Sequence, residues 1–355
     1  MYSEVLNVGL VGYGFAGRTF HAPVIAGVPG LRLAAVASSQ PDAVHRDWPQ
    51  ARVVAAPAAL LASADVDVVV IATPNDSHHT LARAALEAGK HVVVDKPFTM
   101  NMAEAQELLT LSKARQRVLS VFHNRRFDAD FLTLQDVLAS GRLGRLVYVE
   151  SHFDRYRPQV LVRWRDQPGA GGIWPDLGSH LVDQAVQLFG VPDAIHADMG
   201  PIRDHALTED YFHVQLRYEQ GAHAGLRVVL HATTVAAAPA PRYRVHGTLG
   251  SYVKHGVDPQ EDALKAGARP CLDDLGGWGA DPEPGHLSVP GEGLDLQVVP
   301  SRPGNYMAYY AAVRDAVNGV GANPVTPEQA SQVMALLELG RESSAQRREL
   351  RVLPH

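Results

Sequence analysis

Val5-Leu6-Asn7-Val8-Gly9-Leu10-Val11-Gly12-Tyr13-Gly14-Phe15-Ala16-Gly17 is the stretch that decides the fold. It opens on an apolar run of strand length and closes on the spacing Gly-x-Gly-x-x-Gly. Glycines recur by chance, but these follow a strand directly and lead into helical periodicity from Ala16 to Ala26, and that context gives the spacing its meaning. Gly12 permits a tight turn, Gly14 lets the backbone approach a pyrophosphate, and Gly17 lets the helix pack on the sheet while its first amides face the anion. Gly12, Tyr13, Gly14, Phe15, Ala16 and Gly17 are thus expected to cradle a dinucleotide; a turn without a ligand is the plainer alternative.

Outward from this turn, short apolar runs alternate with helical segments. Val5 to Val11, Leu31 to Ala37, Val68 to Ala72, His91 to Val94 and Val118 to Phe122 are predicted strands, unbroken by polar alternation as suits strands buried on both faces. Between them, Ala16 to Ala26, Ser77 to Ala88 and Met102 to Arg115 have helical periodicity, which predicts parallel strands joined by right-handed crossovers. Asn101, three residues before Glu104, forms a capping-box pattern. The expected fold class is α/β: an N-terminal Rossmann doubly wound parallel sheet, followed by an α+β domain with a mainly antiparallel open sheet.

The second part rests on a change of texture after Phe122. Leu146 to Phe153, Tyr211 to Tyr218 and Ala222 to Thr233 alternate as antiparallel strands do, with a helix predicted near Asp176 to Phe189. Residues 267–303 are rich in Gly, Pro and Asp and read as a long loop or an excursion of the second domain, and Tyr306 to Asn318 and Pro327 to Arg348 as helices. The boundary is expected at 122/123, giving a dinucleotide-binding domain 1–122 and a substrate-binding and oligomerisation domain 123–355. A chain of 355 residues supports two such domains.

Composition excludes several classes. With 46% hydrophobic and 20% charged residues, a net charge of -6 and no basic cluster, neither disorder nor a nucleic-acid partner is indicated. The single cysteine, Cys271, forms no internal disulfide, and Met1-Tyr2-Ser3-Glu4 has no leader-like character, so a cytoplasmic protein away from membranes is expected. An exposed antiparallel sheet face would be a liability in a monomer, so a homo-oligomer, a dimer or larger, is expected.

The chemistry-bearing residues fall at strand ends. Where a carboxylate for the ribose diol of NAD is usual, the second strand ends Ala37-Ser38-Ser39-Gln40; small hydroxyls can donate to a 2′-phosphate, which favours NADP over NAD. No Arg adjoins Ser38 and Ser39, Arg46 being the nearest downstream, and a Ser-Ser turn capping the next segment is the alternative. Thr73-Pro74-Asn75 and Asp95-Lys96-Pro97 follow the next strands and are expected to line the cofactor crevice. Lys96 fits a catalytic lysine, and equally a structural partner of Asp95. In Gly171-Gly172-Ile173-Trp174-Pro175-Asp176-Leu177-Gly178-Ser179-His180-Leu181-Val182-Asp183, a helix starting near Pro175 puts Asp176, His180 and Asp183 on one face. A carboxylate one turn from an imidazole suits a base that accepts an alcohol proton. The alternatives are a dipole-capping acid beside a core histidine, or a zinc pair; no second His pair supports zinc, and no metal is expected.

Taken together these motifs resemble the Gfo/Idh/MocA oxidoreductase family over nearly the whole chain. The resemblance lies in the glycine turn, in Thr73-Pro74-Asn75 with His78, in Asp95-Lys96-Pro97 with Asp for the family's Glu, and in Asp176-Leu177-Gly178-Ser179-His180. It implies that Lys96, Asp176 and His180 are catalytic at a nicotinamide. Phe122-His123-Asn124-Arg125-Arg126-Phe127 resembles the family's joint between domains, implying a cofactor contact for Asn124; Trp164-Arg165 resembles a pair that approaches the cofactor in some members. Ser151 to Pro158 resembles the branch holding NADP-dependent scyllo-inositol dehydrogenases, and Arg155, Tyr156, Arg163 and Asp183 are candidates to bind a sugar or cyclic polyol. The resemblance implies a dehydrogenase acting on CH–OH groups; relatives that hydrolyse glycosides with NAD and no net oxidation, and a dinucleotide-binding regulatory protein, are the competing expectations.

Overall fold

In the computed structural model, which describes residues 5–161, 171–238, 240–289 and 297–353, the apolar run before the glycine turn is strand β1, Leu6–Val11. It is joined by β2 (Leu31–Ala37), β3 (Arg52–Val54), β4 (Val68–Ile71), β5 (His91–Val94) and β6 (Leu119–Val121), all parallel, in the order β3-β2-β1-β4-β5-β6. The order reverses between β1 and β4, and in such a sheet the crevice at the carboxyl ends of the strands beside that reversal receives the ligand. Val68, Val69, Val70 and Ile71 are all buried, which is why β4 reads as an unbroken apolar run. The helix Met102–Arg115 starts where expected: Asn101 Oδ1 accepts from Glu104 N at 3.0 Å, and the Glu104 carboxylate reaches back to Met100 N at 3.0 Å.

The second sheet has nine strands: β7 (Leu146–His152), β8 (Ala194–Gly200), β9 (Tyr211–Arg217), β10 (Arg227–Thr233), β11 (Tyr243–Gly247), β12 (Ser251–Lys254), β13 (Gly285–Ser288), β14 (Gln297–Val299) and β15 (Leu350–Arg351). Their order is β14-β13-β12-β11-β7-β10-β9-β8-β15, antiparallel throughout except for the parallel pair β7 and β10. On β9, Phe212, Val214 and Leu216 are buried while Tyr211, His213 and Gln215 alternate with them, so one face is core and the other is polar. The helix Ser179–Phe189 packs against β10 on the core side.

The chain divides into two units, each built from separated stretches: Met1–Phe127, Pro259–Gly279 and Asn305–Ser331 in the first, Asp128–Asp258, Ala280–Gly304 and Gln332–His355 in the second. The stretch 267–303, read as a loop or an excursion of the second domain, divides between the two units at Gly279 and Ala280. Its first part belongs to the first unit, where Leu272 N donates to Gly27 O at 2.8 Å, and its second part carries β13 and the edge strand β14. The strand expected from Ala222 starts only at Arg227, because Gly225 at φ 93° breaks the extended backbone ahead of it.

The second unit buries a cation in its core. Arg242, 2% exposed, donates to Asp130 Oδ2 (2.8 Å), Ser151 Oγ (2.6 Å), Gln184 Oε1 (2.7 Å) and Tyr243 Oη (2.8 Å), with its guanidinium 3.9 Å above the Phe153 ring. Such a charge is tolerated in a core only when paired and fully hydrogen-bonded, as here.

Candidate functional site

The glycine turn has the geometry its spacing predicts. Gly12 sits at φ 96°, and a Cβ there would lie 2.6 Å from Ala72 O; a Cβ on Gly17 would lie 2.1 Å from Gly12 O. Both positions are closed to other residues by the backbone itself. Gly14 differs: a Cβ there would meet no protein atom within 4 Å, so packing gives no reason for glycine and the space above its backbone suits a close-approaching anion. The chain then enters a wide i→i+5 turn, Gly17–His21, before the α-helix Ala22–Ala26. Phe15 is exposed, whereas Tyr13 is buried with its hydroxyl donating to Asp47 Oδ2 at 2.9 Å. Burial and the Asp47 carboxylate push the Tyr13 hydroxyl up to about 12.

At the end of β2, Ser38 Oγ accepts from Gln40 N at 3.0 Å and keeps its hydroxyl hydrogen for another acceptor; Ser39 is exposed. Arg46 approaches Asp47 Oδ1 at 3.5 Å, and Arg18 donates to Asp47 Oδ2 at 2.8 Å. Against the upward push of burial, Tyr13 and Arg18 hold the Asp47 carboxyl below its usual range.

After β4, Thr73 Oγ1 pairs with Ser77 Oγ at 2.6 Å, and Asn75 is buried. His78, fully buried, lies between two loops: Nε2 is 3.0 Å from Thr73 O and Nδ1 2.9 Å from Pro97 O. It therefore ties the Thr73-Pro74-Asn75 turn to the Lys96-Pro97 turn. The Asp95 carboxylate accepts from Lys96 N at 2.8 Å, so Asp95 fixes the lysine's backbone. Behind Asp95 stands His21, a residue that none of the sequence motifs singled out: its Nε2 is 3.7 Å from Asp95 Oδ2 and its Nδ1 2.6 Å from Tyr310 Oη, both rings being buried. Burial raises the Asp95 carboxyl, but His21, Lys96 and His78 outweigh it and hold Asp95 below the usual carboxylate range. A histidine one turn past the last glycine was the available signal for His21; nothing local marks Tyr310. Asn124 is buried in the turn Asn124–Phe127, whose Arg126 donates to Pro324 O and Gln329 Oε1, both at 2.9 Å.

In the second unit, the helix bearing His180 begins earlier and wider than expected. Trp174–Gly178 forms an i→i+5 turn, and ordinary α geometry starts at Ser179. His180 and Asp183, both buried, stand three residues apart in ordinary α geometry, and Asp176 lies four residues before His180 within the wider turn. Trp174 opens this turn. Its indole is buried, donates to Leu337 O at 2.9 Å, and lies where a Cβ on Gly178 would be 2.2 Å from the ring and one on Gly340 2.8 Å. Arg155 is half-buried, with its amide bonded to Thr233 O at 2.9 Å, and Tyr156 is exposed. Arg163, Trp164 and Arg165 lie outside the described residues.

A six-stranded parallel sheet in this order, with a glycine turn at its reversal point, defines a dinucleotide-binding protein of the Rossmann class. The chain belongs to the Gfo/Idh/MocA oxidoreductase family: residues 6–123 match its NAD-binding Rossmann fold and residues 135–352 its C-terminal alpha/beta domain. It is 54% identical to the uncharacterized oxidoreductase YdgJ of Escherichia coli (strain K12), over 98% of this chain and 99% of that one. It is 36% identical to the scyllo-inositol 2-dehydrogenase (NADP(+)) IolW of Bacillus subtilis (strain 168), over 98% and 96% respectively. The solved structure of YPO2259 from Yersinia pestis superposes with a TM-score of 0.94 at 50% identity, covering 99% of each chain. Among the described residues, no helix is long and apolar enough to cross a membrane.

Proposed function

We propose that this chain is an NADP-preferring dehydrogenase acting on a secondary alcohol or its ketone in a sugar or cyclic polyol, scyllo-inositol being the leading candidate. The observation that carries the cofactor preference is Ser38, whose hydroxyl stands where a ribose-binding carboxylate is usual and retains a hydrogen to donate. The name of the Bacillus subtilis relative supports both cofactor and substrate. The amides from Gly12 to Gly17 would hold the pyrophosphate, Ser38 and Ser39 the adenosine 2′-phosphate, and Thr73, Pro74, Asn75 and Asn124 the remainder. The nicotinamide, when bound, supplies the hydride exchange.

The protein's own residues then manage the proton and the orientation. His180 takes the hydroxyl proton, Asp176 orients the imidazole, and Lys96 hydrogen-bonds the reacting oxygen. Support for Lys96 is its anchored backbone at the carboxyl end of β5; support for His180 is its burial at the start of a helix. Asp95 and His78 act as positioning residues. Arg155 and Tyr156 offer donors to polyol hydroxyls, and Asp183 serves the His180 helix face. A homo-oligomer completes the reading, testable by light scattering.

The deciding experiment titrates NADP and NAD against a panel of inositols and sugars while following the reduced nicotinamide. Stoichiometric reduction with NADP preferred is expected. Product without net change in absorbance would favour redox-assisted hydrolysis instead, and binding without turnover of any polyol would remove the dehydrogenase assignment.

A further inference from the structure

On the polar face of the second sheet, register sets His152 of β7 beside His231 of β10, and His231 beside His213 of β9. Asp154, just beyond β7, reaches both of the first two: its Oδ2 is 3.5 Å from His152 Nδ1 and its Oδ1 is 3.4 Å from His231 Nε2. One ligand atom from each of the three lies within 4.8 Å of the others. These side chains are 13%, 6% and 17% exposed, yet both ring nitrogens of His152, Asp154 Oδ1 and His231 Nδ1 are buried with no hydrogen-bond partner. Buried polar atoms are almost always satisfied, so His152 Nδ1 and Asp154 Oδ1, orphaned where the three side chains meet, need a cause.

We propose that His152, Asp154 and His231 form a site for a divalent transition metal of the zinc class, with a fourth position open to water or a ligand. Ligands bonded at about 2.0–2.1 Å in a tetrahedron stand roughly 3.3–3.4 Å apart; each imidazole has an Asp154 oxygen at a like distance, Oδ2 at 3.5 Å for His152 and Oδ1 at 3.4 Å for His231, so a small turn of the carboxylate brings one oxygen to both. Two imidazoles with one carboxylate select zinc-like ions over magnesium or calcium, which require oxygen. The surroundings fit as well. With Nδ1 on the metal, His152 would present its Nε2–H to Glu150 Oε2, 3.5 Å away, the carboxylate support that metal-bound histidines commonly have. Glu150 is itself held by Tyr148 Oη at 2.6 Å and Arg244 Nη1 at 2.8 Å. The ion would clamp the ends of the parallel pair β7 and β10, next to Arg155.

The test uses the full chain, stripped with a chelator and dialysed. Zinc is titrated by calorimetry, and cobalt(II) is added as a spectroscopic probe. The expected result is one ion per chain and the intense visible absorption of four-coordinate cobalt, with affinity falling 10- to 100-fold, roughly, in Glu150→Gln and further in Asp154→Asn and His231→Gln. His152→Gln gives the same reading should either variant not fold, as judged by circular dichroism. Absence of saturable binding, or binding equally tight in the folded ligand variants, would overturn the assignment.

Discussion

Replacing Gly14 by Ala should separate ligand binding from folding. A methyl at this position meets no protein atom within 4 Å, and its φ lies outside the left-handed region, so the folded chain accommodates it. Loss of glycine's freedom in the unfolded chain adds about 0.4–1 kcal/mol of stability, if anything. The bound dinucleotide, by contrast, would meet the methyl where its pyrophosphate approaches the amides. Losing one hydrogen bond to a charged group costs about 1.5–3 kcal/mol, roughly 10- to 150-fold in Kd. Gly17→Ala is the contrast: its Cβ would sit 2.1 Å from Gly12 O, whereas ordinary contact begins near 3.4 Å, so turn and helix must part and both Tm and binding fall. Calorimetric titration of NADP with thermal unfolding of the three proteins reads both quantities. Gly14→Ala binding as tightly as the parent, or melting as low as Gly17→Ala, would refute the reasoning.

Lys96→Ala and His180→Ala should each lower kcat by about 10²–10⁴ while dinucleotide Kd stays within roughly threefold; near-parental turnover in either removes that residue from the mechanism. Arg242→Met leaves the Asp130 carboxylate buried without its cation and should cost about 3–5 kcal/mol in urea unfolding, part of which Arg242→Met with Asp130→Leu restores; parental stability in the single variant contradicts this account. Burial, reinforced by the Arg117 charge, pushes the His91 imidazole down to about 4 from 6.5, and its Nδ1 accepts from Val118 N at 3.0 Å. The unfolded chain then binds this proton more tightly, so the stabilisation is complete above pH 6.5 and is lost as pH falls toward 4. His91→Gln should flatten the urea midpoint across that interval, and an unchanged slope would count against it.

What could be read in advance was what local periodicity encodes. β2 and β5 and the helix Met102–Arg115 coincide with their predicted spans because their apolar pattern, caps and flanking turns are all local. β3, three residues long, carries too little pattern to register, and the amphipathic β8, β11 and β12 are hard to tell from loop edges without their partners. The return of 259–279 and 305–331 to the first unit depends on residues far apart in sequence packing together, which no window detects. The same holds for the proposed site residues. Lys96, Asp176 and His180 stand in recognisable strings, whereas Tyr310 meets His21 across 289 positions. The wide turn at Trp174–Gly178 was hidden because helix periodicity assumes an α pitch.

The Trp174 indole has a consequence for how the protein can change. Gly178 and Gly340 are both shaped to the Trp174 ring, and Leu337 takes its N–H, so positions far apart in the chain are interchangeable only as a set. A single larger residue at 178 or 340 would displace the tryptophan and, with it, the pitch of the segment leading into His180. Mutational drift is therefore closed off one step at a time along this seam, since a change at 174, 178 or 340 has to wait for its partners.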